Sequence, residues 1–130
     1  MKKILLSLSF ILIALFSYSQ SAPVEVLFFK TNLTCCAAHS CNTLVGDVKK
    51  TIETNFSSKK VVFKEINLKE EKNKELVKKF SAKHQNVFVV VTKKGKETIL
   101  NITDLVAEYN SDKNYSEFEK KLKTLIKKQL

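Results

Sequence analysis

The spacing of apolar positions changes several times along this chain, and each change marks a new element. Residues 24–29 (Val-Glu-Val-Leu-Phe-Phe) alternate only weakly, so both faces carry apolar groups, as in a strand covered on both sides. Leu44, Val45, Val48, Ile52 and Phe56 then recur at helical spacing and predict one buried face of a helix of about four turns, with Cys41 on that face. Ser57, Ser58, Lys59 and Lys60 break this period. Residues 61–68 follow as a second strand, rich in β-branched and aromatic side chains. Residues 70–83 are highly charged, with Leu76, Val77 and Phe80 as the apolar contacts of a surface helix. Residues 87–91 (Val-Phe-Val-Val-Val) predict a strand buried on both faces, and a turn at Lys94 and Gly95 lets residues 97–102 pair back antiparallel. Thr103 is the expected cap of a short helix over residues 104–109, with a polar loop over 110–114. Ser116 and Glu119 form a capping-box pattern for a last helix that buries Phe118, Leu122, Leu125 and Ile126. A strand, crossover helix and strand favour parallel pairing, and the later hairpin adds antiparallel neighbours. The predicted class is α/β, a central mixed sheet of about four strands flanked by helices.

Ahead of the first strand the pattern is of another kind. Lys2 and Lys3 precede an apolar stretch, residues 4–16, interrupted only by Ser7 and Ser9. Ser17 and Ser19 then place small residues before a cut at Gln20. This is the pattern of a cleaved secretory signal over residues 1–19, and it predicts a periplasmic or secreted protein. The apolar stretch is shorter than the roughly 20 residues of a spanning helix, so no stable membrane insertion is expected after cleavage. Residues 20–130 remain as one domain, long enough for a real core. The formal charge of +10 falls to +8 without Lys2 and Lys3, and all 23 basic residues are lysine. Without the planar fork of arginine, and in an exported protein, nucleic acid is not an expected partner. The charge reads first as a solvated lysine surface, with attraction to an acidic partner or membrane surface as the other role.

The candidate chemistry sits between the first strand and the first helix, where Cys35, Cys36 and Cys41 fall within seven consecutive positions. A helix start offers unpaired N–H groups and a positive dipole end, both of which stabilise a thiolate. An odd count of three in an oxidising compartment leaves at least one thiol unpaired. Three readings follow. In dithiol exchange, Cys35 or Cys36 attacks a disulfide and Cys41 resolves it. In soft-metal capture, Cys35, Cys36, His39 and Cys41 hold copper(I) or zinc. In a structural reading, Cys41 packs in the core as a small apolar residue and the protein binds a partner without chemistry. Geometry separates the first two from the third. On a helix that already begins at Cys35, positions 36 and 41 project about 140° apart, with α-carbons beyond the ~7 Å that a disulfide spans. A helix that begins near Ser40 instead leaves a loop able to gather the thiols, and this start is the one expected. His39 and His84 are read as exposed or helix-end residues.

The order strand, thiols, helix, strand, helix, strand, strand, helix is that of the thioredoxin fold. The chain also resembles the thioredoxin-like family known as the nitrophenyl compound nitroreductase subunit ArsF family. Residues 24–35 resemble that family's first strand and first cysteine, and residues 41–56 its second cysteine and following helix. Residues 61–67, Asn73-Lys74-Glu75-Leu76, Asn101-Ile102-Thr103-Asp104-Leu105 and residues 118–130 continue the likeness. The family carries a Cys-x-x-Cys pair, whereas here five residues separate Cys35 from Cys41 and four separate Cys36 from it. Thioredoxins place a cis-proline before the third strand; here that region is His84-Gln85-Asn86-Val87, and the one proline is Pro23. The resemblance implies an exported thioredoxin-like domain engaged in thiol-disulfide exchange or an accessory redox role. Its partner would be a protein thiol or disulfide, with no separate cofactor.

Overall fold

The computed structural model describes residues 22–32 and 36–130, with the side chains of residues 36–38 left out of the description. The expected signal segment and Cys35 lie outside the described residues. Four strands, β1 (Val24–Lys30), β2 (Val61–Asn67), β3 (Val87–Lys93) and β4 (Lys96–Asn101), form one sheet in the order β2-β1-β3-β4. β1 runs parallel to β2 and antiparallel to β3, and β3 is antiparallel to β4. The helices are α1 (Cys36–Asn55), α2 (Lys74–Phe80) after a 3-10 turn at Glu71–Asn73, α3 (Thr103–Asp112) and α4 (Tyr115–Lys127). The class is therefore α/β, a four-stranded mixed open sheet flanked by helices.

Alternation along β1 divides the core into two layers. Val24, Val26 and Phe28 face one side, where they meet Val87, Val89 and Val91 of β3 and the stripe Cys41, Leu44, Val45, Val48 and Ile52 of α1. Val106 and Tyr109 of α3, with Phe118, Leu122 and Ile126 of α4, complete that layer. Leu27 and Phe29 face the other side with Ile66, Phe88 and Val90, covered by Leu76, Val77 and Phe80 of α2. The central strands thus have both faces covered, as their unbroken apolar runs require.

Several boundaries differ from expectation, each for a local reason. The second helix is half the expected length. It stops at Ser81, which is left-handed (φ 47°), with Ser81 N–H donating to Lys78 O and Ala82 N–H to Val77 O. This closing motif sets Ala82 near Val77 in the second core layer. α3 runs through Asp112 instead of ending at Tyr109, so the polar loop shrinks to Lys113 and Asn114. Thr103 does not cap it; its hydroxyl accepts from Val87 N–H at 3.0 Å and so ties α3 to β3. The capping pattern of α4 lies two residues earlier than expected. Asn114 accepts from Glu117 N–H at 3.2 Å, while Glu119 accepts from Asn55 of α1 at 2.9 Å.

A polar seam joins α1 to the two C-terminal helices. Tyr109 donates to Asp47 at 2.6 Å, and Thr51, fully buried, bonds both the Asp47 carbonyl (2.8 Å) and the Tyr115 hydroxyl (3.0 Å). Burial, then the bond to Asp47 and its charge, push the Tyr109 phenol up to about 12. A phenol whose folded pKa is raised contributes stability that is complete below its ordinary value of 10.0 and is lost as pH rises toward the folded value. Urea denaturation at increasing alkaline pH should therefore show the wild type losing stability across that window. Tyr109→Phe, weaker at neutral pH by about 1–2 kcal/mol, should lose less there.

Candidate functional site

β1 ends at Lys30, and the chain then passes to α1, which begins at Cys36. The helix start therefore stands at the C-terminal edge of a central strand, beside its parallel neighbour β2. In open α/β sheets this edge is where ligands bind. No acidic residue occupies the first turn of α1, so nothing there opposes the positive end of the helix.

The helix start corrects one expectation. α1 is helical from Cys36, not from near Ser40, because extending it by a turn satisfies main-chain groups that a loop would leave to solvent. Two consequences follow for the cysteines. Cys41 sits in the second turn, on the stripe with Leu44 and Val45, and is 2% exposed with a free thiol. Positions 36 and 41 then lie on different sides of one helix, their α-carbons ~9 Å apart by helical geometry. A disulfide between them requires unwinding the start of α1. The expected loop that would gather all three sulfurs is absent from residue 36 onward.

The four-ligand metal set meets the same obstacle. His39 is exposed and Cys41 buried, two positions apart and on opposite sides of α1. The set cannot close around one ion while the helix holds. Among the described residues no three His, Cys, Asp or Glu side chains converge as a metal site.

A second wall of this edge was not evident in the sequence. The segment leading into β3 folds against the end of β1. Gln85 N–H donates to Phe29 O at 2.8 Å, and Phe29 N–H donates to Asn86 O at 2.9 Å. Thr31 N–H donates to His84 Nδ1 at 3.1 Å, with the Thr31 hydroxyl 3.3 Å from the same nitrogen. A main-chain donor on Nδ1 makes that atom the acceptor and leaves the ring proton on Nε2. Gln85 adopts a left-handed conformation (φ 63°) to make this turn. His84 is therefore no bystander at a helix end; it clamps the strand exit from which the thiol segment departs. The signal that could have found it is its place just before the third strand, since that segment must pass the end of the neighbouring central strand.

A mixed-charge hollow of about 490 Å³ lies on the β2 side of the same edge, lined by Lys30, Asn32, Lys64, Glu65, Asn67 and Lys72 among others. Its cations are engaged: Lys30 pairs with Glu65 at 2.6 Å, and Lys72 with Glu70 at 2.9 Å. Among the described residues no helix is long and apolar enough to cross a membrane. No known protein family, curated protein or solved structure matches this chain.

Two measurements test this geometry. An aromatic disulfide reagent followed by peptide mapping should leave Cys41 unmodified in the native protein and modify it in urea. Rapid native labelling would mean that the start of α1 opens readily. Replacing His84 with Ala leaves the Thr31 amide without its acceptor and should cost about 1–2 kcal/mol in urea denaturation, with faster hydrogen exchange at Thr31.

Proposed function

We propose that this is an exported thioredoxin-like protein that exchanges thiols and disulfides with protein partners. Its chemistry is carried by Cys36 or Cys35 as the attacking thiol, with Cys36 taken below, while Cys41 serves mainly in the core. One observation carries this reading: Cys36 lies in the first described turn of α1 at the C-terminal edge of a central strand, and that turn holds no acidic residue. That position favours the thiolate, the form that attacks disulfides. The strand order β2-β1-β3-β4, with a parallel pair followed by an antiparallel hairpin, is the order of the thioredoxin fold and supports that part of the proposal. A likeness to the ArsF family is part of the same proposal, since no family model matches the chain. Its nitroreductase name contributes nothing to the mechanism, because no residue described here points to nitro-group reduction.

In this mechanism the Cys36 thiolate attacks one sulfur of a partner disulfide. A mixed disulfide forms, and the other partner sulfur leaves as a thiolate and takes a proton from water. A second thiol, from a dithiol, then attacks the Cys36 sulfur of the mixed disulfide, the partner's remaining sulfur leaves as a thiolate and takes a proton from water, and the dithiol's other thiol releases Cys36. Across the cycle the partner disulfide gains two electrons, and the thiols that form the new disulfide lose them. While α1 is intact, Cys41 cannot reach Cys36, and a bond between the adjacent Cys35 and Cys36 is strained, so the second thiol comes from a partner protein. Cys41 could resolve the intermediate only after the first turns of α1 unwind, losing a few main-chain hydrogen bonds of about 1 kcal/mol each and its own packing.

The test is reduction of a disulfide-containing peptide by the pre-reduced protein with a dithiol supply. Cys36→Ser should fall to the uncatalysed background and Cys41→Ser should retain most of the rate. Equal rates for Cys36→Ser, Cys35→Ser and wild type would reject exchange at this site. A native disulfide linking Cys36 to Cys41 would reject the division of labour between them.

A further inference from the structure

The hairpin register leaves one line of main-chain groups without partners. Lys94 and Gly95 are both left-handed (φ 52° and 75°), the two-residue turn that closes on a hydrogen-bonded pair, here Lys93 with Lys96. Antiparallel pairs alternate, so Val91 with Thr98 and Val89 with Leu100 are hydrogen-bonded as well. The bond from Ile102 N–H to Val87 O at 2.9 Å continues that phase. The N–H and C=O groups of Glu97, Ile99 and Asn101 therefore point away from β3. β4 is the last strand of the sheet, so among the described residues these groups meet no further strand.

The side chains around this edge are unusual in a related way. Between β4 and α4 runs a groove of about 750 Å³, with Leu100 and Leu125 as its apolar part and Lys120, Thr124 and Lys128 along its wall. Lys121 on the same wall is held by Glu108 at 2.8 Å and Glu117 at 2.9 Å, whereas Lys120 and Lys128 form no ion pair among the described residues. On the opposite face of β4, Ile99 is 43% exposed.

Lysines beside an edge strand commonly serve to keep other strands away. Their placement here discriminates between strands. A second copy pairing antiparallel through β4 would be related by a twofold axis normal to the sheet. That axis would set one α4 lysine wall against the other, and like charges would oppose the contact. An acidic strand meets no such opposition. We propose that β4 is a docking edge for an extended acidic segment of a partner protein, which adds to the sheet beside Glu97, Ile99 and Asn101. Glutamates facing α4 lay their methylenes over Leu100 and Leu125 and bring their carboxylates to Lys120 and Lys128. Apolar residues facing the other way cover Ile99. Main-chain bonds supply the affinity and the lysines supply the choice of partner. This surface involves no thiol, so it stands or falls apart from the exchange reaction.

The probe is a blocked, fluorescent peptide of about seven residues that alternates glutamate with valine. Titrated with the full chain, it should show a saturable rise in anisotropy that weakens about tenfold as salt is raised to about 0.5 M. Lys120→Glu combined with Lys128→Glu should weaken binding about tenfold or more at low salt. Ile99→Pro removes an outward N–H and no bond to β3, so it should keep its circular dichroism spectrum and lose the peptide. A peptide with lysine in place of glutamate should not bind. Failure of the glutamate peptide to bind, or equal binding of the lysine peptide, overturns the proposal. So does undiminished binding by the double lysine variant or by folded Ile99→Pro, or sedimentation of the wild type as a dimer that Ile99→Pro dissolves.

Discussion

The burial of one stripe of α1 governs the rest of this structure. Cys41, Leu44, Val45, Val48 and Ile52 pack on Val24, Val26 and Phe28 of β1 and on the valines of β3. Each large side chain in that contact is worth on the order of 2 kcal/mol. Rotating the helix about its axis would expose several of them at once. Interactions of a thiolate with a helix start are worth about 0.3–1 kcal/mol and cannot compete. The packing therefore decides how α1 is turned, and the turn of α1 decides that position 41 belongs to the core. The separation of the cysteines is a by-product of hydrophobic burial and not a design of the sulfur chemistry.

The same rotation explains why the polar seam exists. With the apolar stripe against the sheet, Asp47, Thr51 and Asn55 follow one another at four-residue intervals along the flank of α1. There they meet Tyr109, Tyr115 and Glu119. Burying Thr51 completely is tolerated because its hydroxyl has two partners, and no buried side-chain polar atom among the described residues lacks one. The C-terminal helices are thereby keyed to α1 by direction-dependent bonds as well as by the stack of Tyr109 on Phe118. The opposite face of the sheet is more lightly covered. One short helix, with Phe80 set among Phe29 and Phe88, closes it, and α2 is anchored at its far side by Lys79 to Glu97 of β4.

The two proposed regions thus occupy different parts of one sheet. The thiol edge lies at the C-terminal end of β1, braced by the His84 segment from the neighbouring strand. The β4 edge lies at the outer side of the hairpin. Their physical requirements differ: a thiolate needs donors and a favourable field at a helix start, whereas a docking strand needs unpaired main chain and compatible charge.

Periodicity alone settled much of this protein. Every strand of the sheet, the apolar stripe of α1 with Cys41 on it, and the buried face of α4 follow from local spacing, because burial on one or both faces imprints a period on the residues. The clustering of the cysteines was equally plain. What the sequence left open were quantities that depend on residues far apart. The start of α1 at Cys36, the early end of α2 at Ser81 and the shift of the α4 cap to Asn114 are choices among near-equal local options. Main-chain hydrogen bonds and neighbouring elements resolve them. The roles of Thr103, Glu119 and His84 could not be read locally at all, since each is defined by a partner between 16 and 64 positions away. Tertiary structure decided those roles because a hydrogen bond has direction and reach, and only the packed sheet brings its two ends together.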